Sequence, residues 1–214
     1  MKIKRFVCNA FQENAYVISE GAECIIIDPG FTGGEMPALY EYLAAEGLTP
    51  STILLTHSHP DHVYGLQPLV KRFGIPVFSA RAEKQPDSCQ KHGFSAARAE
   101  KQPDSCPAEI CGFQVIATPG HTPDSVCYYS EKDAVIFTGD TLFAGTIGRT
   151  DLPGGNYDDE IRSIMEKLIF LPGETVIYPG HGPQSTIARE RISNPFLEPF
   201  NEREELELED APRP

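Results

Sequence analysis

Three histidines and an aspartate fall within six residues in the segment Thr56-His57-Ser58-His59-Pro60-Asp61-His62. In an extended loop, residues i and i+2 point the same way, so His57 and His59 can meet one cation. Pro60 disfavours helix at His59 and keeps it extended. Asp61 and His62 then open a helix and turn toward a neighbouring position. One segment can thus feed two adjacent metals. Imidazole and carboxylate donors suit zinc, iron or manganese, and the lack of cysteine in these loops argues against a closed structural zinc site.

Three further candidates follow apolar runs: His121 after FQVIATPG, Asp140 after AVIFTG and His181 after TVIYPG. Five of the chain's six histidines and two aspartates therefore sit in such loops. One tetrahedral metal with an open position takes three protein ligands, so seven donors fit two metals. Asp140, next to Gly139 on a tight strand exit, is the natural bridge. The expected assignment is His57, His59 and His121 on the first metal, and Asp61, His62 and His181 on the second. Zinc is the expected ion at both. Asp28, in IIIDPG, reads either as a turn cap before Pro29 and Gly30 or as an acceptor orienting a ligand histidine. Asn14 and Tyr16, in QENAY, read as structural.

The elements that must position these groups follow from apolar runs. Runs at 16–19, 24–27, 52–55, 76–78, 113–117, 126–129, 134–137 and 175–178 are rich in Ile, Val, Phe and Tyr and bounded by turn residues, so strands are predicted there. Helices are predicted over 37–46, 61–73, 157–170 and 184–192. Residues 161, 164, 165, 168 and 169 form one apolar stripe. The mixture indicates an α/β class with sheets covered by outer helices.

The segments THSHPDH, TPGHT, FTGDTLF and YPGHG, in this order, resemble the metal-binding motifs of the metallo-β-lactamase superfamily. GTIGRTDLPGG and HGPQSTIARERISNPF are similar to its short glyoxalase II-like hydrolases. The resemblance spans residues 1–200 apart from an insertion. It implies a four-layer αββα sandwich of two mixed sheets, and it implies the ligand assignment above. It implies hydrolysis of S-2-hydroxyacylglutathione, a small-molecule thioester. A metal-bridging hydroxide would attack the carbonyl, and Asp61 would both ligate and orient it. Persulfide dioxygenases share the fold and the HxHxDH motif. Their single iron would fall on His57, His121 and Asp140, which makes an iron-dependent oxidation of glutathione persulfide the alternative.

Three features depart from the family pattern. Only 33 residues follow His181, where full-length glyoxalase II has a helical domain supplying basic residues for glutathione. Asp124 stands where similar proteins often have Gly. The decapeptide ARAEKQPDSC occurs twice, at 80–89 and 97–106, and reads as a duplicated polar surface insertion. Arg149, Arg189 and Arg191 are the basic residues nearest the motifs, with Arg149 the candidate for a substrate carboxylate.

Composition excludes several classes. The 214 residues carry 18 Lys+Arg against 31 Asp+Glu, a net charge of −13. That balance opposes a nucleic-acid partner, which needs a basic face, and an anionic membrane surface. No run approaches the roughly 18 apolar residues of a membrane span. The start lacks a signal-peptide core, so a cytoplasmic location is expected, with the six cysteines as free thiols. Residues 201–214 hold six acids and two Arg and read as a solvated tail. Oligomeric state is not legible.

Overall fold

Period-2 alternation of buried side chains builds two sheets, each apolar on both faces. In a computed structural model, residues 1–80 and 108–198 are described. The first sheet has the order β1 (Lys2–Cys8), β2 (Glu13–Glu20), β3 (Glu23–Ile27), β4 (Thr49–Leu54) and β5 (Val77–Phe78). Its first pairings are antiparallel, and β3–β4 and β4–β5 are parallel. The second sheet runs β13 (Ser185–Thr186), β12 (Val176–Pro179), β9 (Val135–Gly139), β8 (Val126–Ser130), β7 (Phe113–Ala117) and β6 (Glu109–Ile110). Only β12–β9 is parallel in it. A small hairpin joins β10 (Leu142–Phe143) to β11 (Thr146–Ile147).

Three apolar layers hold these sheets. Ala15, Val17 and Ile26 face α1 (Met36–Ala45) and α3 (Leu66–Phe73), meeting Leu39, Leu43 and Leu69. Their strand neighbours Tyr16, Ile18 and Ile27 face the other way, onto Val126, Tyr128 and Phe137 of the second sheet. Cys127, Tyr129, Ile136 and Ile177 then pack outward on Ile164, Leu168 and Ile187. Such strands read as continuous apolar runs because both faces are covered. The result is the expected αββα sandwich of two mixed sheets. Among the described residues no helix is long and apolar enough to cross a membrane.

Several local expectations are corrected. Strand β1 was not expected: it lies at a sheet edge, half-exposed, and its Lys and Arg hide the alternation. The helix expected over 61–73 is two, α2 (Pro60–Val63) and α3, because the Gly65 N–H donates to the Pro29 carbonyl at 2.7 Å instead of continuing the ladder. The helix over 157–170 is α4 (Tyr157–Ser163), capped by Asn156, and then a π turn over Ile164–Leu168. The helix over 184–192 becomes α5 (Ile187–Ser193), because Ser185 and Thr186 pair with β12 first. The 80–106 duplication, apart from Ala80, and the 201–214 tail lie outside the described residues.

Candidate metal centre

Four strand ends bring the candidate side chains to one edge of the sandwich. His57 and His59 occupy the loop after β4, where His59 is extended (φ −63°, ψ 147°) and the next residue starts α2 with Asp61 and His62. His121 follows β7, Asp140 follows β9 and His181 follows β12. A register shift at Tyr178/Pro179 and a Gly180 N–H bond to the Gly139 carbonyl at 2.8 Å draw the last two exits together.

The ring nitrogens converge. His59 Nδ1 lies 3.1 Å from His57 Nε2 and 2.8 Å from His121 Nε2. A second group forms where His181 Nε2 lies 3.3 Å and His62 Nε2 3.9 Å from Asp61 Oδ2. Asp140 stands between the groups. Its Oδ2 is 3.5 Å from both His121 Nε2 and His181 Nε2, and its Oδ1 is 3.3 Å from His62 Nε2. Each trio, His57–His59–His121 and Asp61–His62–His181, presents three donor atoms within 4.8 Å of one another.

The opposite ring nitrogens of His57, His62, His121 and His181 are tethered, which fixes the orientation of these four imidazoles. His57 Nδ1 meets Thr56 Oγ1 at 3.1 Å, and His62 Nδ1 meets Asp28 Oδ2 at 3.1 Å. His121 Nδ1 meets the Arg149 carbonyl at 2.7 Å, and His181 Nδ1 meets the Phe11 carbonyl at 3.1 Å. Asp28 itself is held by the Thr56 N–H and hydroxyl at 2.7 and 2.6 Å, with φ at +46°. Its carboxylate thus points at His62, as the acceptor reading of this residue requires.

The electrostatics suit cations. Burial pushes His57 well below its usual pKa and lowers His59, keeping their lone pairs free. Burial opposes charge on His62, but Asp140 and Asp28 outweigh it and raise the group. Burial likewise works against the Asp140 carboxylate, yet His62 holds it well below the carboxylate range. His62 Nε2 and Asp140 Oδ1 are buried 3.3 Å apart without the geometry of a hydrogen bond, and among the described residues neither has another hydrogen-bond partner, although buried polar atoms are nearly always paired. A divalent cation at each trio would complete both atoms. The cluster is suited to a dinuclear metal site.

Sequence reading missed several supports. Glu160, on α4, accepts the His121 backbone N–H at 2.8 Å, and burial lifts its pKa to about 8. Asn9 Nδ2 donates to the Gly30 and Asp61 carbonyls, both at 3.0 Å. Neither carries a strand-end signature, and their roles depend on distant partners. Asn14 and Tyr16 are structural as expected: their side chains reach the Pro179 carbonyl at 2.9 and 2.7 Å and anchor the His181 loop. Asp124 accepts from Ser58 Oγ at 3.4 Å. Arg191 binds the Ile169 and Leu171 carbonyls.

Arg149 contributes its carbonyl to His121, while its exposed guanidinium makes a two-pronged pair with Asp151 at 2.8 Å. Arg149→Ala is therefore expected to leave metal content and thermal stability essentially unchanged, since exposed pairs contribute little. Metal analysis and a thermal melt check this. Loss of metal would show that the side chain, and not the carbonyl, secures His121.

The family model for the metallo-beta-lactamase superfamily matches residues 8–181. Among relatives, the probable metallo-hydrolase YqgX of Bacillus subtilis is 37% identical over 94% of this chain and 100% of its own. The hydroxyacylglutathione hydrolase GloC of Haemophilus influenzae is 35% identical over 92% and 98%. Among solved structures, BLEG-1 B3 metallo-beta-lactamase superposes with a TM-score of 0.75 at 37% identity, covering 92% of this chain and 99% of that one. TTHA1623 in a di-iron-bound form gives 0.72 at 34%, covering 91% and 100%. With its fold, its clustered histidines and aspartates and these relatives in agreement, the chain belongs to the metallo-β-lactamase superfamily.

Proposed function

We propose that the chain hydrolyses thioesters, with S-2-hydroxyacylglutathione as substrate, using two divalent cations, expected to be zinc. The observation that carries this reading is Asp140 Oδ2, placed 3.5 Å from a nitrogen of each trio. A single iron on His57, His121 and Asp140 would be accompanied by the same Asp61, His62 and His181 donors, so metal stoichiometry separates the two readings, and the closing HGPQSTIARERISNPF segment, similar to the short hydrolases, favours hydrolysis. The relative named as a hydroxyacylglutathione hydrolase supports the substrate class, and the neighbour titled as di-iron-bound supports two metals.

His57, His59 and His121 would hold the first cation, Asp61, His62 and His181 the second, and Asp140 both. Bound there, the cations would acidify water and polarise a carbonyl oxygen. The chain's own residues supply orientation. Asp28, Arg149 and Phe11 fix His62, His121 and His181 from behind. The Asp61 carboxylate, with Oδ2 3.3 Å from His181 Nε2, would accept from the attacking water and aim its proton away from the carbonyl. Arg149, once released from Asp151, would offer a cation to a substrate carboxylate.

The test is hydrolysis of S-D-lactoylglutathione by protein loaded with zinc, iron or manganese. The expected kcat/KM is about 10⁴ M⁻¹s⁻¹ or more. No turnover with any metal, together with oxygen uptake on glutathione persulfide, would favour the iron dioxygenase instead. Asp61→Asn is expected to lower kcat by about 10²-fold or more while changing KM little, because it removes an acceptor used at the reacting centre. Steady-state kinetics of that variant decide. A KM effect alone would assign Asp61 to binding.

A further inference from the structure

Glu13, at the start of β2, is fully buried, and among the described residues neither carboxylate oxygen has a hydrogen-bond partner. An acid in such a place is expensive unless something offsets its charge. Among the described residues, the ion-pair partner within reach is His62, whose Nδ1 lies 3.9 Å from Glu13 Oε1 and 3.1 Å from Asp28 Oδ2. Glu13, Asp28 and His62 offer atoms within 4.8 Å of one another, all three buried. The surrounding backbone leaves no slack. A Cβ on Gly30 would lie 2.0 Å from Glu13 Oε2 and 2.2 Å from the Asp61 carbonyl oxygen. Glu13 is also bridged through its backbone to His181. It therefore touches two of the three residues around the second cation position, from the side facing away from the cation.

We infer that Glu13 is a positioning residue that strengthens cation binding at the Asp61–His62–His181 position by acting, with Asp28, through His62. This rests on the dinuclear reading above. A carboxylate behind a ligand imidazole raises its basicity and locks its orientation. Two acids behind one imidazole also place negative charge that a cation in front offsets, whereas without metal His62 alone faces both acids. Packing does not require an acid here, because no donor among the described residues uses either oxygen.

The experiment compares zinc affinities of the full chain and of Glu13→Gln by chelator competition, with thermal melts of both proteins stripped of metal. One of the two zinc affinities should fall by roughly 10- to 100-fold and the other by less than about threefold, as for partners behind metal ligands. The metal-free Tm of Glu13→Gln should equal or exceed that of the original chain, since an amide can donate to Asp28 or to the Asp61 carbonyl. Unchanged affinities, or a lowered metal-free Tm, would overturn the inference and make Glu13 a packing residue. Glu13→Asp keeps the charge one methylene further away and should lose less affinity than Glu13→Gln. Equal losses would also overturn it. If the unmodified chain bound no zinc, the dinuclear reading would fall and this inference with it. If it bound two and Glu13→Gln matched it, only the inference would fall.

Discussion

Asp140→Asn is expected to reduce bound divalent metal from two per chain to one or none and to lower kcat by at least about 10³-fold. Its effect should exceed that of any partner behind the ligands, for which about 10- to 100-fold is usual. One oxygen lies 3.5 Å from a nitrogen of each trio, and the other is 3.3 Å from His62 Nε2. Substitution therefore removes a donor from both proposed cation positions at once, and with it the negative charge that faces His62. An amide keeps the shape and hydrogen-bonding size, so a folding failure is not expected from the core. Metal analysis of the purified variant and kinetics with added metal check the outcome. Two tightly held metals with near-normal turnover would remove the bridging role.

Gly180→Ala should be nearly as damaging although no donor is lost. A Cβ at Gly180 would lie 2.3 Å from Asp140 Oδ1 and 2.7 Å from His62 Cε1. Any retreat would disturb the site. His62 is pinned from behind by Asp28, and Gly180 is itself tied to Gly139 through the backbone. The Asp140 carboxylate and the His62 imidazole must shift by about an ångström, and displacement on that scale costs about 10²-fold in rate. Crowding also lowers stability by about 1–3 kcal/mol. Gly33→Ala is the control, because nothing lies within 4 Å of a Cβ there. It should leave metal content, turnover and Tm unaltered. Equal effects from the two substitutions would show that close approach at Gly180 is not what matters.

The site and the fold were legible to different degrees. Buried strands such as Cys24–Ile27 and Val126–Tyr129 announce themselves because both sheet faces are covered, and an uninterrupted apolar run can then only be interior. The HxHxDH spacing is local chemistry, so His57, His59, Asp61 and His62 stand out without a structure. His121, Asp140 and His181 are legible because each ends a strand run with a polar cluster. Edge strand β1 was hidden by its basic residues, and the interruption at Gly65 by a hydrogen bond to Pro29, far off in the chain.

Only the tertiary structure decided which acids stand behind the donors. Asp28 could have capped a turn, but the Thr56 N–H and hydroxyl aim it at His62. The Arg149 carbonyl, and not its guanidinium, holds His121. Glu13 and Glu160 carry no local signature, because what distinguishes them is burial and partners far off in the chain, His62 for Glu13 and His121 for Glu160. Donor identity is a property of residue type and short spacing, which the chain writes directly. Charge compensation and orientation depend on distance and desolvation, which exist only once the two sheets have closed on one another.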